Sequence, residues 1–188
     1  MTQTINIDSS KVDAKAVLAV FAQYGFRKTS MEDIAKAANL SRQSIYKKFG
    51  SKDACYEWTL KTYLADMYGR IFATLNNEES TPLVILTKVF DIMVGEAIDL
   101  IANLHGTELL DNALKLKNAS EEDWPIRFRS RLGNFLHRTR LASTADEGLA
   151  KAFVLITAGK GLLLEATDRE RARSDMARIL EAVVGAAR

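Results

Sequence analysis

One cysteine, Cys55, is all that the chain offers for thiol chemistry, so no disulfide within the chain can brace it. Beside Tyr56 and Trp58 it reads as a small buried hydrophobe rather than a redox group. Histidine is almost as scarce. His105 and His137 together with Cys55 leave too few soft ligands for a closed zinc site, and no metal or cofactor is expected. His105 and Glu108 form a lone H-x-x-E without the second histidine of a zinc-protease helix. Gly159-Lys160-Gly161 lacks the spaced glycine and the Ser/Thr of a phosphate loop, and Cys55 and His105 have no nucleophile motif around them. No catalytic pattern rises above chance, so an enzyme is the least supported class. Only two prolines, Pro82 and Pro125, interrupt the chain, which leaves long stretches free to be helical. No apolar run, Ala152 to Gly159 included, approaches the length of a bilayer span, and no leading segment resembles a signal peptide. A cytoplasmic location without a membrane partner is therefore expected.

What remains is globular: 47% of residues are hydrophobic and 27% charged, enough for one continuous core or two small cooperating units. The net charge of +2 conceals a division. Residues 1–55 carry nine Lys/Arg against five Asp/Glu and the rest seventeen against nineteen, so the first part is +4 and the remainder −2. A polyanion would be drawn to the first part.

That part contains the stretch Ser30 to Lys52, SMEDIAKAANLSRQSIYKKFGSK. Ser30 caps a helix, and Asp33 reaches back to the Ser30 amide, a capping box with Asp in place of Glu. Met31, Ile34, Ala35 and Ala38 recur at i, i+3, i+4 and i+7 and mark its buried face. Asn39 tolerates the left-handed conformation that ends the helix, Leu40 plugs the corner, and Ser41 caps a second helix reaching Phe49. Helix, tight turn and helix make a helix-turn-helix. With Ile45 and Phe49 anchored inward, Gln43 and Lys47 point outward, Tyr46 and Ser44 flank them, and Arg42 projects from the amino-terminal turn. That end of a recognition helix enters the major groove. Arg42 can fork onto guanine, Gln43 pair with adenine and Ser44 contact several bases, so these three are the predicted base readers. Lys28, Thr29, Tyr46, Lys47, Lys48 and Lys52 are the predicted phosphate contacts. Lys52 joins them because Ser51 caps a third helix whose amide-rich start favours an anion. A solvated basic face would show the same charge, but not the same succession of cap, stripe, turn and cap.

Val17 to Ala54, VLAVFAQYGFRKTSMEDIAKAANLSRQSIYKKFGSKDA, resembles the amino-terminal signature of the tetracycline-repressor-like (TetR) transcriptional regulators. It has the apolar first helix, Gly25-Phe26, Thr29-Ser30, Asp33-Ile34-Ala35, Ser41-x-x-x-Ile45-Tyr46 and Phe49-x-x-Lys52. It departs at Cys55, where an apolar Leu is usual, and at Lys48, where an aromatic is frequent. The resemblance implies an all-α fold: a three-helix DNA-binding domain, residues 1–55, joined to a helical effector-binding and dimerisation domain, residues 56–188. It implies a homodimeric repressor of a pseudo-palindromic operator in double-stranded DNA, released by a small-molecule effector. The alternative is a ligand-independent, architectural DNA binder, against which Arg42 and Gln43 argue.

Periodicity predicts further helices over 11–24, ended by Gly25; over 51–75, stopped at Asn76-Asn77; from Thr81-Pro82 towards Ile101; and a shorter one after Gly106. Ser120 with Asp123 reads as a cap before a helix carrying Phe128, Leu132, Phe135 and Leu136. The last two helices, 145–166 and 168–187, carry apolar stripes that suit either the monomer core or a twofold four-helix bundle. The resemblance favours the bundle and points to Phe153, Ile156, Leu163, Ile179 and Val183 as its interface. Family architecture would also place an effector pocket among the middle helices, with Tyr63, Met67, Phe90, Met93, His105, Trp124 and Phe128 as candidates, although aromatic and Met stripes are more often simple core.

Overall fold

A computed structural model of the protein describes residues 12–115 and 123–185. The predicted tail, the helix start at Lys11, the Ser120 cap and the last turn at Ala187 lie outside the described residues. All described secondary structure is helical. The described residues fall into two units, one drawn from 1–65 and 103–116, the other from 66–102 and 117–188.

In the first unit, α1 (Ala14–Lys28) starts where the Asp13 carboxylate accepts the Lys15 and Ala16 amides. Val17, Leu18, Phe21 and Ala22 form its buried face. Gly25 interrupts it with φ 75° and ψ 160°, and the Thr29 amide and hydroxyl both donate to the Gly25 carbonyl. α2 (Met31–Ala37) opens on the predicted capping box: Ser30 Oγ accepts the Asp33 amide and Asp33 accepts the Ser30 amide at 2.8 Å. Asn39, at φ 53°, ends it. The Asn39 amide reaches Lys36 and the Leu40 amide reaches Ala35, the paired bonds of a Schellman exit. α3 (Arg42–Phe49) starts on Ser41, whose Oγ accepts the Ser44 amide at 3.0 Å, and stops at Gly50. α4 (Lys52–Leu75) follows a Ser51 cap on the Ala54 amide and contributes residues to both units.

The core of the first unit is mostly aliphatic, with Leu18, Ile34, Ile45 and Leu60 buried, and an aromatic cluster lies beside it, where the Phe21 and Phe26 rings meet Tyr56 at 4.8 and 5.0 Å. Cys55 is fully buried, as expected, and burial pushes its thiol up to about 11, a poor nucleophile. The unit reaches beyond residues 1–55, because α7 (Gly106–Lys115) packs on α1. The His105 amide donates to Ala22 at 2.9 Å, Leu109 and Ala113 are buried, and Asn112 donates to the Tyr56 hydroxyl at 3.1 Å.

The second unit holds α5 (Pro82–Phe90), a wide π-turn (Asp91–Gly95), α6 (Glu96–Ile101), α8 (Trp124–Arg138), α9 (Ala145–Glu165) and α10 (Arg169–Val184). Asp123, Thr144 and Asp168 cap the last three. α8 and α9 touch backbone to backbone: a Cβ on Gly148 would lie 2.5 Å from the Gly133 carbonyl oxygen. The π-turn is tied to α10 by charge. Asp91 accepts two bonds from Arg173 and two from Arg169, which hold its carboxyl well below the usual carboxylate range. Arg70 of α4 grips Glu96 bidentately.

The inward face of α9 is Gly148, Ala152, Leu155, Gly159 and Leu162. That is one residue round from the stripe through Leu149, Phe153, Ile156 and Leu163. The glycines set the phase: a Cβ on Gly159 would sit 2.8 Å from Met93 Cε. Phe153 is instead 53% exposed, and Ile156, Leu163, Ile179 and Val183 are half-buried. The apolar stripe left open on α9 runs through Val154, Gly161 and Leu164, the last 90% exposed.

Candidate nucleic-acid interface and ligand cavity

The outer face of α3 is built by what holds its inner face. Ile45 is fully buried, and Phe49 packs on Trp58 with ring centroids 5.0 Å apart. Arg42, Gln43, Tyr46 and Lys47 are therefore exposed together, within the first turn and a half of a capped helix. The Arg42 guanidinium lies over the Tyr46 ring, 5.5 Å from its centroid, which orders a long side chain without neutralising it. Ser44 is half-buried, its Oγ paired with Ser41 Oγ at 2.8 Å, so it serves the cap as well as the surface.

The predicted phosphate contacts divide. Lys28 and Lys47 are exposed on the same unit. Thr29 is 1% exposed with its hydroxyl engaged by Gly25, so its side chain belongs to the interior and leaves the phosphate set. Lys48 is spread over the Phe49 and Trp58 rings, 5.1 and 4.9 Å from their centroids. Lys52 Nζ donates to the carbonyls of Phe26 (2.7 Å) and Thr29 (3.0 Å) and lies over the Phe26 ring. This ammonium closes the end of α1 rather than standing ready for a phosphate. Sequence reasoning missed this because a lysine at a helix start looks the same whichever anion or carbonyl it meets.

The second unit contains a cavity of about 240 Å³, lined by Tyr68, Met93, Pro125, Ile126, Phe128, Arg129, Phe153, Ile156, Thr157 and Lys160. Met93 and Phe128 are predicted pocket residues, and Trp124 stacks on the lining Tyr68 with centroids 5.8 Å apart. Met67 and Phe90 are buried core of the same unit, Phe90 against Gly159. Tyr63 and His105 do not line this cavity: they fall in the first unit, where His105 abuts Gly25. Phe153 and Ile156, predicted for the dimer face, line the cavity. Tyr68 of α4, Arg129 of α8 and Lys160 of α9 went unpredicted, since helices far apart in the sequence bring them to one cavity.

Residues 15–57 match the family model described as bacterial regulatory proteins, tetR family. The chain is 32% identical over 63 residues to the uncharacterized HTH-type transcriptional regulator YhgD of Bacillus subtilis, covering 34% of this chain and 33% of YhgD. It is 37% identical over 51 residues to the HTH-type transcriptional repressor KstR2 of Rhodococcus jostii, covering 27% and 25%. The chain thus spans a third or less of the length of the relatives it matches. In fold it is similar to a TetR transcriptional regulator from Legionella pneumophila (TM-score 0.61, 18% identity, 96% of this chain and 100% of that one). A TetR-family regulator from Mesorhizobium loti is comparable (TM-score 0.60, 22% identity, 92% and 91%). These matches are to transcription regulators, not enzymes, and among the described residues no helix is long and apolar enough to cross a membrane. Residues 15–57 thus carry the amino-terminal domain of the tetR family, and over nearly all its length the chain has a helical fold similar to that of TetR-like regulators.

Proposed function

We propose that the protein is a cytoplasmic, homodimeric transcriptional repressor that reads a pseudo-palindromic operator with α3 and lets go of it when a small molecule occupies the second unit. The carrying observation is the exposed set Arg42, Gln43, Tyr46 and Lys47 on a helix fixed from behind by Ile45. Arg42 and Gln43 read base edges, aided by Ser44, while Lys28, Tyr46 and Lys47 position the helix on phosphates. A twofold dimer presents two copies of α3 to two half-sites one helical turn apart. The open stripe Val154, Gly161 and Leu164 supports the dimer reading, and Leu163, Ile179 and Val183 are half-buried and so also available to it. Release requires differential affinity: the effector must bind more tightly to the form that does not bind DNA, or it shifts nothing. The cavity around Met93, Phe128 and Phe153 is the effector site in this reading.

Selection of bound fragments from random duplex DNA by the purified protein, at two salt concentrations, tests the proposal. Enrichment of an inverted repeat is expected. Retention without enrichment would replace it with the architectural reading.

A further inference from the structure

The walls of the cavity in the second unit combine an apolar body with one sign of charge. Tyr68, Met93, Phe128, Phe153 and Ile156 supply the body, and Arg129 and Lys160 supply the charge, with no Asp or Glu lining it among the described residues. Both cations are exposed side chains, and neither is paired with a carboxylate in the network that engages Arg70, Arg169 and Arg173. Arg129 lies over the ring of another lining residue, Phe153, 5.2 Å from its centroid, so its guanidinium is kept beside the cavity rather than extended into water. Thr157 adds a hydroxyl on the same wall.

We infer that the cavity binds a small organic anion, with a ring system or short chain among the aromatic and aliphatic walls and a carboxylate, or a group of like charge, between Arg129 and Lys160. The inference rests on reading this cavity as the effector site. The volume of about 240 Å³ lies just below the usual range for small-molecule pockets, which favours one or two rings over a large ligand. A neutral apolar ligand would leave two cations partly desolvated beside it with nothing to pair, and a cationic ligand would meet both with the same sign. Gly159 keeps the back wall in place: its missing Cβ leaves the room that Met93 Cε occupies, so the Met93 thioether can pack there and face the cavity.

Calorimetric titration of the full chain with 2-naphthoate and with 2-naphthamide, which share shape and differ in charge, tests both the inference and the reading beneath it. The expected result is one naphthoate per chain, bound about tenfold more tightly than the amide, as a charge-assisted hydrogen bond provides. Arg129→Met with Lys160→Met should erase that difference while leaving the amide unchanged, and Thr157→Trp, which fills the cavity from an exposed position, should abolish both. Equal affinities, both lost in Thr157→Trp, would overturn the anion preference and leave the cavity reading standing. Binding of neither compound, as when a second copy covers the exposed Ile126 and Phe153, would remove the effector-site reading and the inference with it. Naphthoate binding that survives Thr157→Trp would place the anion elsewhere and overturn the inference.

Discussion

Lys47 and Lys52 carry the same charge five positions apart, yet their surroundings assign them different work. Lys47 is exposed on the outer face of α3, whereas the Lys52 ammonium is spent on the Phe26 and Thr29 carbonyls at the end of α1. Lys52→Met should lower the unfolding free energy by about 1–3 kcal/mol, because part-buried carbonyls lose a charged donor. It should leave the slope of log affinity against log salt unchanged once folded protein is compared. Lys47→Ala should do the reverse, leaving thermal unfolding in place and flattening that slope by about 1. Denaturation curves and salt titrations on both variants check the pair, and a flattened slope in Lys52→Met would return that residue to the phosphate set. Gly25 sits at φ 75°, and a Cβ there would lie 2.8 Å from His105 Nδ1. Gly25→Ala should therefore cost about 1–3 kcal/mol through left-handed strain and the clash combined, read by chemical denaturation.

At the scale of elements, the caps of α2, α3 and α4 were legible because each is written within a few residues: Ser30 with Asp33, Asn39, Ser41 and Ser51. The phase of α9 was not. Apolar residues lie on more than one side of that helix, and the inward face is decided by Gly148 and Gly159, whose partners Gly133 and Met93 are distant in sequence. Gly148→Ala should accordingly destabilise the protein by about 1–3 kcal/mol, since a backbone carbonyl and not a flexible side chain stands in the way. The π-turn after α5 was equally hidden, its Asp91 being matched to Arg169 and Arg173 from the far end of the chain. With a folded-state value below the unfolded one, Asp91 stabilises fully above its ordinary range near pH 4 and loses that contribution as pH falls. Asp91→Asn should be less stable by about 1–2 kcal/mol at pH 7, and the gap to the parent should narrow on acidification below pH 4. Thermal unfolding followed from pH 7 to pH 3 reads this. A gap independent of pH would mean that packing at Gly95, not charge, fixes the turn.

For the whole molecule, the bounds of α3, from the Ser41 cap to Phe49, were legible in the sequence, but not the company its unit keeps. α7 joins the first unit through His105 and Asn112, contacts that a short amphipathic helix does not announce, which is why His105 was expected at a ligand. The cavity was legible only in Met93 and Phe128, because a pocket needs the relative phase of several helices. In the proposed dimer Leu164 lies in the open stripe, and at 90% exposure its replacement leaves the fold within about 0.5 kcal/mol. Leu164→Arg should thus convert dimer to monomer in sedimentation and weaken operator binding without moving the thermal midpoint; an unchanged dimer would shift the interface to another face. If α3 reads bases through Arg42 and Gln43, the affinities of the parent protein and Arg42→Ala for the selected operator and each of its single-base variants will show it. The prediction is a loss of about 1–3 kcal/mol confined to one base pair per half-site, with preference there relaxed. An equal loss on every variant would make Arg42 a phosphate contact and contradict the account.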